Sequence, residues 1–175
     1  MLFEYRRELT GGAVLTTLDI DSELLRGNPL GDPSKRSQPL LLPPGSPAGL
    51  PLVAVLVGYT GFNHKVLNTG SMWGENVPER IARGMASGAI PPAVFVWPAA
   101  ETRLGGSQYV DSVGTGKYQS YVLEEVIPAI EAAFACGGSG QRVVVGKSSG
   151  GFGALSLAMR RPGYFSAVGS HAGDM

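Results

Sequence analysis

Cysteine is nearly absent from this chain: Cys136 is the single thiol in 175 residues. One thiol excludes an intramolecular disulfide and any cysteine-based zinc site, and is expected to sit as a small buried or partly buried group. An imbalance of charge is missing too. Fourteen Lys and Arg face fourteen Asp and Glu, and charged residues make up only 16% of the chain. With no basic patch or charge run, neither nucleic acid nor an anionic membrane is an expected partner. No apolar stretch approaches the length of a membrane span, and Met1 to Glu8 carries no apolar core of signal-peptide length. The expectation is a soluble, cytoplasmic protein that needs no metal or other cofactor.

Turn formers are plentiful, with 26 Gly and 13 Pro, as short strands joined by shaped loops require. The length fits a single domain over 1–175. Residues 1–50 read as N-terminal strands and a Pro/Gly-rich connection, and 51–175 as the core. Phe3 to Leu9 and Ala13 to Ile20 are β-rich runs around Thr10, Gly11 and Gly12, a hairpin pattern. Gln38 to Pro43 is expected to be a short edge strand, since Pro39 lacks a ladder donor. Leu52 to Val57 and Ala93 to Pro98 are continuously apolar, as in parallel strands buried on both faces. Helical spacing predicts helices over Glu75 to Ala89 and Tyr118 to Ala135, with a kink or late start at Pro128. A last strand is expected from Tyr164 to Ser170. The alternation of strand and helix implies an α/β, doubly wound, mostly parallel sheet.

The most informative stretch is Gly146-Lys147-Ser148-Ser149-Gly150-Gly151. A β-branched run from Val143 to Val145 precedes it, and a small-residue helix pattern from Phe152 to Arg160 follows. A serine at the apex of a strand-turn-helix, in the pattern Gly-x-Ser-x-Gly, is a nucleophile elbow. The turn is tight enough to strain the serine backbone, and Gly146 and Gly150 remove Cβ atoms that would collide there. The hydroxyl is then exposed at a helix N-terminus, where amide donors and the helix dipole favour developing negative charge. Gly-Lys-Ser also ends a Walker A loop, but that motif needs glycine at 141, where Gln141 stands, and its flexible cradle would fall on the strand. The bland alternative, a Gly/Ser-rich turn without chemistry, is disfavoured by flanks that match the elbow on both sides.

Three separated blocks resemble one family of esterases within the α/β-hydrolases, the kin of esterase D, antigen 85 and enterochelin esterase. They are the elbow through Ala154, the loop Gly58-Tyr59-Thr60-Gly61 after a buried strand, and Gln108 to Ser112 followed by Gly116 to Pro128. The resemblance runs from about Leu52 to the C-terminus. It implies an α/β-hydrolase sheet and hydrolysis of a small-molecule carboxylic ester through an acyl-serine. Residue by residue, it implies Ser148 as nucleophile and the backbone amides of Ser149 and Tyr59 as the oxyanion donors.

The chain departs from the family pattern after the elbow. The triad of this fold runs Ser, then Asp or Glu, then His. Only 27 residues follow Ser148, and in them His171 precedes the sole acid, Asp174. His171 is expected at the carboxyl end of the strand beside the elbow strand, lining the pocket or capping the strand. His64, Tyr109, Asp111 and Asp174 are the other pocket candidates, with a surface-loop position as the plainer reading of Tyr109 and Asp111. The expectation is an N-terminal fragment, truncated after the strand that follows the elbow helix and inactive alone, whose exposed sheet edge invites homo-oligomer pairing. A non-catalytic binding or scaffold module is the competing reading, and a serine acyltransferase a third.

Overall fold

The computed structural model describes residues 5–70 and 72–173; Asp174 lies outside them. In chain order, β1 (Arg6–Glu8), β2 (Val14–Asp21), β3 (Lys35–Leu42) and β4 (Leu52–Leu56) come first, and helix α1 (Val77–Ala86) and β5 (Val94–Val96) follow. Two small hairpins come next, β6 (Glu101–Thr102) with β7 (Gly105–Gly106) and β8 (Asp111–Ser112) with β9 (Gly116–Lys117). A long helix then runs as α2 (Tyr118–Ser120), a π segment (Tyr121–Val126) and α3 (Ile127–Phe134). Strand β10 (Arg142–Lys147), helix α4 (Ser149–Arg160) and strand β11 (Ala167–His171) complete the order.

Seven strands form one sheet in the order β1-β2-β3-β5-β4-β10-β11. The expected parallel, doubly wound core is there as β5, β4, β10 and β11. The N-terminal strands extend it antiparallel, so the whole sheet is mixed. Apolar side chains leave the central strands on both faces. Leu52, Ala54 and Leu56 of β4 join Tyr118, Tyr121, Val122, Val126, Ile130 and Leu157 on one side. Val53 and Val55 pack with Ala82, Met85, Phe95 and Trp97 on the other. Each fully buried aliphatic side chain contributes roughly 1.5–3 kcal/mol by leaving water, which explains why continuous apolar runs mark these strands.

The expected edge strand at Gln38 to Pro43 is not an edge. Strand β3 is internal, paired with β2 along eight positions and with β5 at Leu40 and Leu41. Pro39 falls opposite Trp97, just past the end of β5. The Trp97 amide donates to the Pro39 carbonyl at 3.0 Å, but proline has no hydrogen to return. The fully buried Asn63 supplies one instead: its Nδ2 donates to the Trp97 carbonyl at 3.2 Å and to the Ser37 carbonyl at 3.1 Å. A side chain from another loop thus replaces the missing backbone donor.

Helix starts and stops follow local chemistry. Asn76 and Glu79 form a reciprocal capping box at the start of α1: the Glu79 amide donates to Asn76 Oδ1 at 3.0 Å, and the Asn76 amide to Glu79 Oε2 at 2.8 Å. The long helix passes through Pro128 without breaking. Pro128 cannot donate to the carbonyl four residues back, and the turn ahead of it widens, with the Ile127 amide reaching the Val122 carbonyl. Ala135 ends α3 in the left-handed region at φ 53°. Among the described residues no helix is long and apolar enough to cross a membrane.

Candidate active site

Ser148 stands between the last residue of β10 and the first of α4, with φ 55° and ψ −125°. Such a backbone costs about 1–3 kcal/mol for a non-glycine residue. The surroundings hold it in place. The Ser148 amide donates to the His171 carbonyl at 3.0 Å, and the Phe152 amide to the Ser148 carbonyl at 3.0 Å. A Cβ on Gly146 would lie 2.1 Å from the Gly150 carbonyl oxygen, and one on Gly150 would lie 2.1 Å from that of Leu56. At both glycines a side chain would run into main chain.

The loop after β4 comes alongside the serine. A Cβ on Gly58 would sit 3.5 Å from Ser148 Cβ and 4.0 Å from its Oγ. Tyr59 follows directly, and its carbonyl accepts from the Gly106 amide at 2.8 Å. Ser149 is buried as the first residue of α4, where the summed peptide dipoles place partial positive charge.

The other candidates are scattered. His171 ends β11 in register with Lys147 of β10; its backbone carbonyl touches the elbow while the residue itself is exposed. Tyr109 is buried instead of lying on a surface loop. Its hydroxyl donates to the Val57 carbonyl at 2.9 Å, and a Cβ on Gly153 would come within 2.4 Å of its ring. Burial drives its phenol far above the ordinary range, so it stays neutral and locks the end of β4 against α4. Asp111 binds the Ser120 amide at 3.0 Å and hydroxyl at 2.7 Å, steadying the start of the long helix. His64 lines a separate cleft of about 420 Å³ with Asp32, Arg36, Ser37, Glu101 and Arg103. Among the described residues no cluster of His, Cys, Asp or Glu is arranged to hold a metal ion.

Sequence reasoning missed Asn63, which shares the loop of Tyr59. It also missed the hairpin of β6 and β7, whose Gly105 and Gly106 lie against Tyr59. The glycine pair was the available signal, but nothing in the letters said which ring it would face.

The family model described as "Putative esterase" matches residues 34–175. The chain belongs to this esterase family. No curated protein matches the chain. Among solved structures, a ferulic acid esterase is similar at 26% identity and TM-score 0.71, with 87% of this chain and 57% of that one covered. An S-formylglutathione hydrolase from Agrobacterium tumefaciens follows at 20% identity and TM-score 0.70, covering 94% and 59%. A fluorophosphonate-binding serine hydrolase of Staphylococcus aureus, FphF, follows at 17% and 0.66, covering 89% and 55%. The last two likenesses speak for the α/β-hydrolase-type fold. This esterase-family chain spans a little over half the length of these structures.

Proposed function

We propose that this esterase-family site cleaves a carboxylic ester through an acyl-serine at Ser148. The strained apex carries the reading: Ser148 sits at φ 55° between strand and helix, with Gly58 packed beside it. In the proposed cycle, Ser148 Oγ attacks the ester carbonyl carbon and its proton passes to a base. The carbonyl oxygen takes up negative charge and is met by the amides of Ser149 and Tyr59. Each such donor is worth roughly 3 kcal/mol of barrier. The C–O bond to the alcohol breaks, the alcohol leaves with the proton from the base, and water repeats the sequence to free the acid and restore Ser148.

A serine hydroxyl without a base is a poor nucleophile. His171 holds the elbow through its main-chain carbonyl, and we assign it a positioning role rather than that of the base. We therefore propose that the 175 residues alone do not turn over ester. The test has two arms. The isolated chain should hydrolyse p-nitrophenyl acetate no faster than its Ser148→Ala variant; Ser148-dependent turnover overturns the inactivity. In extract of the source cell, a fluorophosphonate probe should modify the peptide carrying Ser148, read by mass spectrometry. If other serine hydrolases in that extract are labelled and Ser148 is not, the non-catalytic binding module is the better reading.

A further inference from the structure

We propose that the Tyr59 ring is a fixed stacking platform beside Ser148, selecting esters that carry an aromatic ring. The inference rests on the ester-cleaving reading of this site. Tyr59 is 45% exposed, yet it is pinned at three points. Its hydroxyl donates to the Leu104 carbonyl at 2.7 Å. Its own carbonyl accepts from the Gly106 amide at 2.8 Å. Its ring lies against the backbone of Gly105, where a Cβ would approach Cε1 to 2.6 Å and Cζ to 2.7 Å. Gly105 also has φ 118°, a conformation that side chains rarely adopt.

The hairpin behind the ring is itself anchored. The Arg103 amide donates to Oδ1 of the buried Asp32 at 3.1 Å, and Thr102 Oγ1 donates to the Gly105 carbonyl at 2.9 Å. An exposed aromatic side chain usually retains rotamer freedom that a ligand must remove. Here folding has already removed it, so stacking costs less. The position matches the chemistry, because Tyr59 directly follows Gly58, whose Cβ would be 4.0 Å from Ser148 Oγ. Leu104, 62% exposed, supplies the carbonyl that holds the ring's hydroxyl and so adds apolar surface next to it.

The test is calorimetric binding to the Ser148→Ala chain, which needs no turnover. Two matched pairs are compared: methyl cinnamate with methyl 3-cyclohexylacrylate, and phenethyl acetate with cyclohexylethyl acetate. The first places the ring on the acyl side, the second on the alcohol side. At least one pair should favour the aromatic member by about three- to tenfold. Tyr59→Leu should cut that preference below about twofold, Tyr59→Phe should keep most of it, and Gly105→Ala, which displaces the ring, should behave like Tyr59→Leu. Unfolding midpoints identify any variant that has lost its structure. Equal binding within both pairs, a preference that survives Tyr59→Leu, or no binding by the folded chain overturns the proposal. Probe labelling of Ser148 without a ring preference would remove only the platform. A ring preference without labelling would remove only the hydrolase reading.

Discussion

Replacing Gly150 by alanine would set a methyl group 2.1 Å from the carbonyl oxygen of Leu56, 2.6 Å from its carbon and 2.9 Å from the carbonyl oxygen of Val57. All three are main-chain atoms at the end of β4, and β4 is clamped between β5 and β10. No side chain can swing aside. Relief requires the first turn of α4 to move by more than an ångström, away from the hydrogen bonds that hold Ser148 to His171 and Phe152. Overpacking of this kind typically costs about 1–3 kcal/mol, and rigid main chain on both sides places Gly150→Ala at or above the top of that range. Alanine returns up to about 1 kcal/mol of helix propensity, leaving a net loss of at least about 2 kcal/mol. For a chain of this size each kcal/mol lowers the melting temperature by about 2–4 °C, so a drop of roughly 4–8 °C or more is expected. Gly74→Ala is the control, since a Cβ there meets nothing within 4 Å, and its effect should stay within about 0.5 kcal/mol. Urea unfolding followed by circular dichroism measures both. If Gly150→Ala unfolds within about 0.5 kcal/mol of the parent, the steric reading of the elbow is wrong.

Two further perturbations test the frame around the site. Asn63→Leu removes the donor shared by the Trp97 and Ser37 carbonyls and should cost about 1–3 kcal/mol in urea unfolding, since one buried and one partly buried acceptor are left unpaired; a loss under about 0.5 kcal/mol would contradict the repair of the ladder at Pro39. Burial pushes the Glu131 carboxyl up, but the paired donors of Arg142 at 2.7 and 2.8 Å and the Gly138 amide outweigh it, so its pKa lies below the ordinary value. Its stabilisation is therefore present above the unfolded carboxylate pKa and fades as pH falls through the lower folded one; melting temperatures in acid should decline less steeply for Glu131→Gln than for the parent, and parallel curves would refute this.

The elbow was legible in the sequence because three constraints coincide within the eighteen residues from Val143 to Arg160. A β-branched strand, two obligatory glycines and a small-residue helix leave few other conformations open. Strands β4 and β5 were legible for a related reason, being apolar on both faces. Strand β3 was misplaced because Pro39 argues for an edge, and its compensation arrives from Asn63, more than twenty positions along the chain. The glycines around Tyr109 favour a surface position for its loop, whereas its side chain is buried. Its burial is decided by the close approach of Gly153, which no local pattern displays. Local chemistry could be read directly; pairings formed across the fold could not.

The Asn63 bridge ties mobility to architecture. This residue belongs to the segment after β4 that also carries Gly58 and Tyr59, yet both of its bonds end on the main chain of β3 and just past β5. For that segment to swing outward, the junction of the antiparallel and parallel halves of the sheet must lose its donor at the same moment. Local opening beside Ser148 is thereby coupled to loosening at the centre of the sheet, a far more costly event than the fraying of a surface loop. Access to the serine is thus governed by the rim of the loop, with its base held by the strands.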